Sequence, residues 1–342
     1  MSGPGHAPSA ISAIVPVYNG EDALALSLAP LARLRARGEI DEVIVVDDGS
    51  TDASARVAAA HGATVVSSGG RRGPGGARNV GAGVATGAIL WFVDADVVVH
   101  DDAARVLARS FARPEIVAVF GAYDERPAAP NFLSQYKNLA HRHQHLIAAG
   151  EAETFWAGCG GVRADAFAAA GGFDADRYPL PSIEDIELGA RLRERGGVIV
   201  VDPALQGTHL KVWRFAGLVR TDVLMRAVPW TRLIRERPAS SALNAAWPER
   251  LRAVLAWVLA ASIVAAILRM VPGWAPLAVY AGAVGANAPL ARMFLRLRGA
   301  AFALIAMAFH QLHYLYASAA FVACSLGWSP AGAPGSSRTR SV

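Results

Sequence analysis

Cysteine and lysine are nearly missing from this chain. Cys159 and Cys324 are the only cysteines among 342 residues, too few for a disulfide framework or a multi-cysteine zinc site. Lys137 and Lys211 are the only lysines, so arginine carries almost all the positive charge. The opening MSGPGHAPSA has no basic segment followed by an apolar run, and no secretory signal is expected there. Charged residues make up 18% of the chain and hydrophobic residues 53%, which excludes a disordered chain and is low in charge for a wholly soluble one. Carboxylates stop at Glu249. Leu251–Val342 holds seven arginines and no acidic residue, whereas residues 1–250 hold 26 basic and 28 acidic ones. The net charge of +5 therefore belongs to an apolar tail. That pattern suits arginines flanking membrane spans and argues against a basic nucleic-acid face; no nucleic-acid partner is expected.

What is present falls into two regimes. Over the first 210 residues, short apolar runs alternate with helical patterns. Ala10–Val17, Glu42–Asp47, Ala63–Ser67 and Ala88–Val93 read as strands, and Glu21–Gly38, Asp52–His61 and Ala77–Thr86 as helices. Such alternation predicts a mostly parallel sheet with helices on both faces, and ligands of such sheets lie beyond the carboxyl ends of the strands. In the tail, 253–268, 270–291 and 299–328 are uncharged. Roughly 20 apolar residues span a bilayer, so two or three spans fit, with three preferred over a two-span or re-entrant arrangement; an Ala-rich soluble bundle would need charged faces, and this stretch has none. Ala227–Arg237 mixes Trp230, Leu233 and Ile234 with Arg232, Arg235 and Arg237, as a helix lying in the membrane interface does. The expected organisation is a domain at 1–226, an interface segment at 227–249, membrane helices at 250–330 and a disordered tail at 331–342. Arginines before the first span and at 292, 296 and 298 place the first domain in the cytoplasm, on a multi-pass protein of the cell membrane.

Four elements carry chemistry. Asp94-Ala95-Asp96 ends an apolar strand, where two carboxylates can share a divalent cation and a diphosphate; Asp also commonly ends strands in plain turns. Asp47-Asp48-Gly49-Ser50-Thr51-Asp52 follows a second strand, where Asp48 can accept from a base or ribose while Thr51 or Asp52 caps the next helix. Gly69–Asn79, GGRRGPGGARN, reads as a glycine-rich loop feeding a helix, with backbone N–H groups and Arg71, Arg72 and Arg78 able to hold phosphate. Glu184-Asp185 begins a helix, as a cap or as a general base. Three histidines, 141, 143 and 145, lie in Asn131–His145 without a nearby Cys or carboxylate, and a metal role for them is disfavoured. Cys159 reads as a small packed residue, and His310 and His313 as a polar pocket within the apolar helices or as residues near its interface.

In order and spacing these pieces resemble the inverting glycosyltransferases of family 2, which have the GT-A fold. The likeness covers Ile11 to about Arg214: Val15-Pro16-Val17-Tyr18-Asn19-Gly20-Glu21, Val46–Asp52, Gly76-Ala77-Arg78-Asn79, Phe92–Asp96, Trp156–Gly160, Gly172-Phe173-Asp174 and Glu184-Asp185. The resemblance implies a UDP- or GDP-sugar donor, with Pro16, Tyr18, Asn19, Glu21, Asp48, Arg78 and Asp94 on the donor. It implies Mg2+ or Mn2+ on Asp96 and Asp94, with His209 as a further candidate ligand. Asp185 would be the base, and Glu184, Trp156, Gly158, Lys211 and Trp213 would face a lipid or membrane-associated acceptor. Three alternatives compete. A sugar nucleotidyltransferase would place its Gly/Arg loop directly after the first strand, and here that loop follows some fifty residues later. A non-catalytic membrane partner of the same fold would lose the carboxylates that are all present. A processive synthase would carry more spans and a different motif from Lys211-Val212-Trp213-Arg214.

Overall fold

A computed structural model of the chain describes residues 10–236, 247–330 and 333–334. The tail 331–342, apart from those two residues, and Arg237, Arg338 and Arg340 lie outside the described residues. The chain divides into two compact units, one reaching Trp213 and the other Arg214–Ala333.

The first unit is built on a nine-stranded sheet. Its elements are β1 (Ile11–Val17), α1 (Glu21–Ala36), β2 (Glu42–Asp47), α2 (Ser54–Ala60), β3 (Thr64–Ser67), α3 (Gly73–Val84), β4 (Ile89–Val93), β5 (Val97–Val99), α4 (Ala103–Phe111), β6 (Ile116–Tyr123), α5 (Phe132–Ile147), β7 (Gly150–Ala152), β8 (Cys159–Arg163), α6 (Ala164–Ala170), α7 (Glu184–Glu194) and β9 (Val198–His209). The strand order is β3-β2-β1-β4-β8-β6-β9-β5, with β7 paired to β9. The first four strands are parallel, as the alternating pattern predicts. Beyond β4 the sheet is mixed: β8 runs antiparallel to both β4 and β6, β9 parallel to β6, and β5 antiparallel to β9.

Central strands such as β4 are buried along their whole length, because one apolar layer packs on each face of the sheet. On one face α1 presents Leu24, Leu28, Leu31 and Leu34, a helical stripe buried to a residue, while Leu26 falls off the stripe and stays exposed. On the other face α3 must come close. Gly81 faces Ile14 and Val46, where a methyl group would collide with both side chains.

Parallel register aligns the strand ends that carry the motifs. Val17 pairs with Asp47, and Asp47 with Ser67, so the turns after β1, β2 and β3 share one edge. Val93 pairs with Cys159, and the Asp94 N–H donates to the Gly158 carbonyl at 3.1 Å. Val97 pairs with His209, which brings the end of β9 beside Asp96.

The Gly69–Asn79 run is not a loop throughout. Gly73–Gly76 form the first turn of α3. Pro74 suits a helix start, where its missing N–H has no partner to lose. The glycines allow close packing: a Cβ at Gly73 would run into the Pro179 carbonyl, and one at Gly75 would press on Phe173. Only 69–72 remain as loop.

The second unit is helical: α8 (Phe215–Arg220), a π-helical segment (Thr221–Ala227), α9 (Val228–Glu236), α10 (Trp247–Ile267), α11 (Ala275–Ala286) and α12 (Ala288–Ser325). Two of these, α10 with 21 residues and α12 with 38, are long and apolar enough to cross a membrane. The uncharged stretch 270–291 does not form one continuous helix. It yields α11, whose 12 residues reach about 18 Å at 1.5 Å per residue, short of a hydrocarbon core of about 30 Å. Asn287 leaves helical geometry, Pro289 starts the next helix, and Gly299 breaks α12 at φ 83°. Within this unit Asp222, on the π-helical segment, accepts from the Tyr316 hydroxyl at 2.8 Å and lies 3.3 Å from His313 Nδ1. His310 and His313 stack nearby, with ring centroids 5.8 Å apart.

Gly81→Ala sets two effects against each other. Alanine favours a helix interior over glycine by about 1 kcal/mol, while overpacking a filled core costs about 1–3 kcal/mol. The collision is with side chains of two central strands, so net destabilisation is expected, read as a lower denaturant midpoint; a raised midpoint would show that β1 and β2 yield to α3.

Candidate active site

Arg78 ties the site together. It lies inside α3 with its side chain 5% exposed, and its two terminal nitrogens reach different elements. Nη2 donates to Asp94 Oδ1 at 2.6 Å and Nη1 to Glu184 Oε1 at 3.0 Å. Its guanidinium also sits 5.5 Å from the Phe173 ring centroid. Burial works against its charge, but Asp94, Glu184 and Asp185 together raise its pKa. The carboxylates at the end of β4 and the start of α7, 90 residues apart in sequence, are thus held around one cation.

Along the edge formed by the parallel strands, the turns are joined to each other. The Asn19 N–H donates to Ser50 Oγ at 3.0 Å, and Asn19 Oδ1 accepts from the Thr51 N–H at 2.8 Å. Asn19 itself has φ 48°, a left-handed conformation that asparagine tolerates. Glu21 Oε2 accepts from the Ala53 N–H at the start of α2, and Asp52 Oδ2 accepts from the Glu21 N–H at the start of α1. Each helix is therefore capped by a carboxylate of the other turn. Asn19 and Glu21, expected on the donor, spend these oxygens on the scaffold, and Asp52 does the capping that its position predicts. Pro16 lies within β1, opposite Val46.

Asp48 is buried and holds the entry to α3. Oδ1 accepts from Ser68 Oγ and the Arg72 N–H, both at 2.8 Å, and Oδ2 from the Gly73 N–H at 2.9 Å. A carboxylate has about four lone-pair sites, so one remains for a ligand. Tyr18 is exposed, and the Arg71 guanidinium lies 4.1 Å over its ring centroid. That stacked pair offers a flat surface at the rim, and it assigns Arg71 a place that the loop reading of the sequence leaves open.

Asp96 and His209 meet as the strand register dictates: His209 Nε2 is 3.4 Å from Asp96 Oδ2, with a third of the Asp96 side chain exposed. Burial would raise the Asp96 carboxyl, but the hydrogen bond and charge of His209, and the charge of Lys211, hold it below the usual range. The His209 ring stacks on Tyr123, centroids 4.4 Å apart and planes 5° from parallel. Asp94 and Asp96 thus part company: one carboxylate faces Arg78, the other His209. Among the described residues, no three His, Cys, Asp or Glu side chains converge as a ready metal cage.

Asp185 sits in the first turn of α7. Oδ2 accepts from the Ala157 N–H at 3.1 Å and Oδ1 from the Ile186 N–H at 2.8 Å. Burial, and after it the charge of neighbouring Glu184, push its carboxyl up to about 7, with Arg78 pulling the other way. Glu184 is committed elsewhere, with Oε1 on Arg78 and Oε2 on the Ser182 N–H.

Of the residues expected on the acceptor side, Trp156 covers Gly158, where a Cβ would strike its ring. Trp156 also packs on Tyr123, His141 and His145, at centroid distances of 4.9, 5.3 and 4.8 Å. Trp213 is buried instead of lining an open surface. Its N–H donates to Ser134 Oγ and its carbonyl accepts from Asn131 Nδ2, while Lys211 lies over its ring at 4.4 Å. Sequence reasoning missed the element responsible, α5. Asn131, Ser134, Asn138, His141 and His145 are spaced by three and four and so share one helix face. His141 and His145 are accordingly neighbours, with rings 4.3 Å apart.

Cys159 is fully buried beside Trp91, and burial pushes its thiol up to about 12, as expected of a packed residue and unlike a nucleophile.

An open edge of parallel strand ends, a strand-ending Asp pair and a helix-start carboxylate opposite it define a GT-A-like glycosyltransferase domain. Residues 12–170 match the model of the family described as Glycosyl transferase family 2, and the chain is a glycosyltransferase. The solved mannosyltransferase PcManGT from Pyrobaculum calidifontis, in complex with GDP-Man and Mn2+, shares the fold at a TM-score of 0.59 and 21% identity, over 93% of this chain and 88% of that one. Glucosyl-3-phosphoglycerate synthase from Mycobacterium tuberculosis, in complex with Mn2+, UDP and glucosyl-3-phosphoglycerate, aligns at a TM-score of 0.47 and 20% identity, over 69% of this chain and 85% of that one. No curated protein sequence matches the chain.

Removing Arg78 strands buried Glu184 and the partly exposed Asp94 without their shared cation. Breaking one side of a buried ion pair costs about 3–5 kcal/mol, so Arg78→Ala is expected to lose stability on that scale in urea unfolding. Arg78→Lys, which serves the two carboxylates with one ammonium group, should recover only part of it. A loss below about 1 kcal/mol for Arg78→Ala, the worth of a surface pair, would contradict the bridging role.

Proposed function

We propose that this enzyme transfers a sugar from a UDP- or GDP-sugar to a lipid or membrane-associated acceptor hydroxyl by a single, inverting displacement. The observation that carries this reading is the place of Asp185 at the start of α7, its carboxylate held by the Ala157 and Ile186 N–H groups beside Glu184, which Arg78 ties to the strand-ending Asp94.

In this reading Asp185 takes the proton of the acceptor hydroxyl as its oxygen attacks the anomeric carbon. The new C–O bond forms as the bond to the diphosphate oxygen breaks, and the electron pair leaves with the nucleoside diphosphate. A base with a pKa near the working pH suits this transfer. Glu184, the carboxylate next to Asp185, has both oxygens engaged, which leaves Asp185 as the base in this reading. Tyr18 with Arg71 receives the base, and the remaining lone pair of Asp48 accepts from it.

The residues fit a divalent ion, Mg2+ or Mn2+. Asp96 and His209 supply a hard oxygen and an imidazole nitrogen side by side, Asp96 is open to solvent, and the short protein donor set leaves positions for diphosphate oxygens and water. When bound with the donor, such an ion neutralises the charge that grows on the leaving group. Arg78 keeps Asp94 oriented, and Lys211 adds positive charge beside Asp96.

The lipid acceptor and a membrane location, with the catalytic unit in the cytoplasm of a multi-pass protein, find support in the second unit. Trp257, Ile267, Leu277, Leu304 and Val322 are among its exposed large apolar side chains, a density that soluble surfaces avoid.

The reading is tested with the full chain in detergent, Mg2+ or Mn2+ and a panel of UDP- and GDP-sugars, by following release of nucleoside diphosphate in the presence of membrane lipid extract. Lipid-dependent release from one donor is expected; release from none removes the proposal. With that donor, Asp185→Asn should lower kcat by about 10²-fold or more and leave donor Kd unchanged. In the wild type, the base is protonated below its pKa, so kcat/KM should fall about tenfold per pH unit below about 7 and level off above it. An acid limb centred near pH 4, the range of an ordinary carboxylate, would contradict the raised pKa of Asp185.

A further inference from the structure

The polar face of α5 has no assigned purpose in the reaction, yet it contacts the segment that carries His209 at three points. Asn131 Nδ2 donates to the Trp213 carbonyl at 2.9 Å, Ser134 Oγ accepts from the Trp213 N–H at 2.7 Å, and Asn138 Oδ1 lies 2.7 Å from His209 Nδ1. The contacts follow in helix order, 131, 134, 138, along the stripe that continues to His141 and His145. Tyr123, stacked flat on His209, closes the other side of the imidazole and itself packs on His141.

Asn138 is the informative member. It is 2% exposed, and its Nδ2 has no hydrogen-bond partner among the described residues. An orphaned buried donor costs about 1–3 kcal/mol, and a leucine of similar volume would avoid it. What the amide supplies in return is one acceptor aimed at one ring nitrogen. An oxygen acceptor at Nδ1 keeps a proton there, so the proton that Nε2 shares with Asp96 is the one a divalent ion would displace, leaving the Nε2 lone pair beside the Asp96 oxygen. Such outer partners are the usual means of fixing the tautomer and angle of a metal-bound imidazole.

We infer that Asn138 is a positioning residue for the metal–diphosphate site: it holds His209 in the Nδ1–H tautomer, so that Nε2 and Asp96 present one donor pair, and α5 is the scaffold that keeps this segment in place. The inference rests on the proposed role of Asp96 and His209 as the protein's metal ligands.

The test reads metal binding instead of turnover. Full-length protein in detergent, saturated with UDP or GDP, is titrated with Mn2+, and free Mn2+ is followed by its electron paramagnetic resonance signal. Asn138→Leu should weaken Mn2+ binding about 10- to 100-fold. Asn138→Asp, which keeps an oxygen at Nδ1, should bind within about threefold of wild type. His209→Ala separates the two layers of the argument. If it weakens Mn2+ binding while folded Asn138→Leu binds like wild type, the positioning role is overturned and the metal reading stands. If His209→Ala binds Mn2+ like wild type, both fall. A second measurement does not depend on how well the leucine variant folds: 15N-histidine spectra of the metal-free wild type at high pH, with His209→Ala to assign the resonance. A protonated Nδ1 on His209 is expected, and a protonated Nε2 overturns the inference.

Discussion

One buried guanidinium organises the catalytic unit. Arg78 reaches Asp94 at the end of β4 and Glu184 at the start of α7, two elements that the sheet alone does not hold at a fixed distance. Without a cation between them, three carboxylates, Asp94, Glu184 and Asp185, would crowd one poorly solvated region. With it, two are paired and the third carries the raised pKa. The proton affinity of Asp185 is therefore a property of the cluster: burial and Glu184 raise it, Arg78 lowers it, and the balance sits near neutrality.

Much of the unit is legible in the sequence because its signals are local. Continuous apolar runs such as Ile89–Val93 can only be fully covered strands, and the turns that follow them must then share an edge. The motifs Asp47–Asp52, Asp94–Asp96 and Glu184-Asp185 stand out because their carboxylates sit just outside such runs. What the sequence hides is which partner each polar group chooses. Asp48 and Glu21 look like ligand contacts and also serve helix starts, a use that depends on turns thirty residues apart meeting. The antiparallel half of the sheet, which delivers His209 to Asp96, has no local signature, since the register Val97 to His209 spans more than a hundred residues.

Glycine and proline mark close approach as well as flexibility. The Gly69–Asn79 run looks like a phosphate loop, yet from Gly73 onward it is α3, pressed against Phe173 and Pro179. In the apolar tail, mean composition suggested a second span, but Asn287 and Pro289 end one helix and begin another. Composition reports how much apolar chain is present; where it bends depends on single residues.

The mutual capping of α1 and α2 has a consequence for how any ligand at this edge would be held. Because Glu21 and Asp52 each close the other helix, with Asn19 pinned between Ser50 and Thr51, the two turns are already immobilised before any ligand arrives. Binding there forfeits little chain entropy, so affinity at this rim arises from contacts made and not from order imposed. The same contacts tie the lengths of the two turns together, because a residue inserted in either one would unseat both helix starts at once.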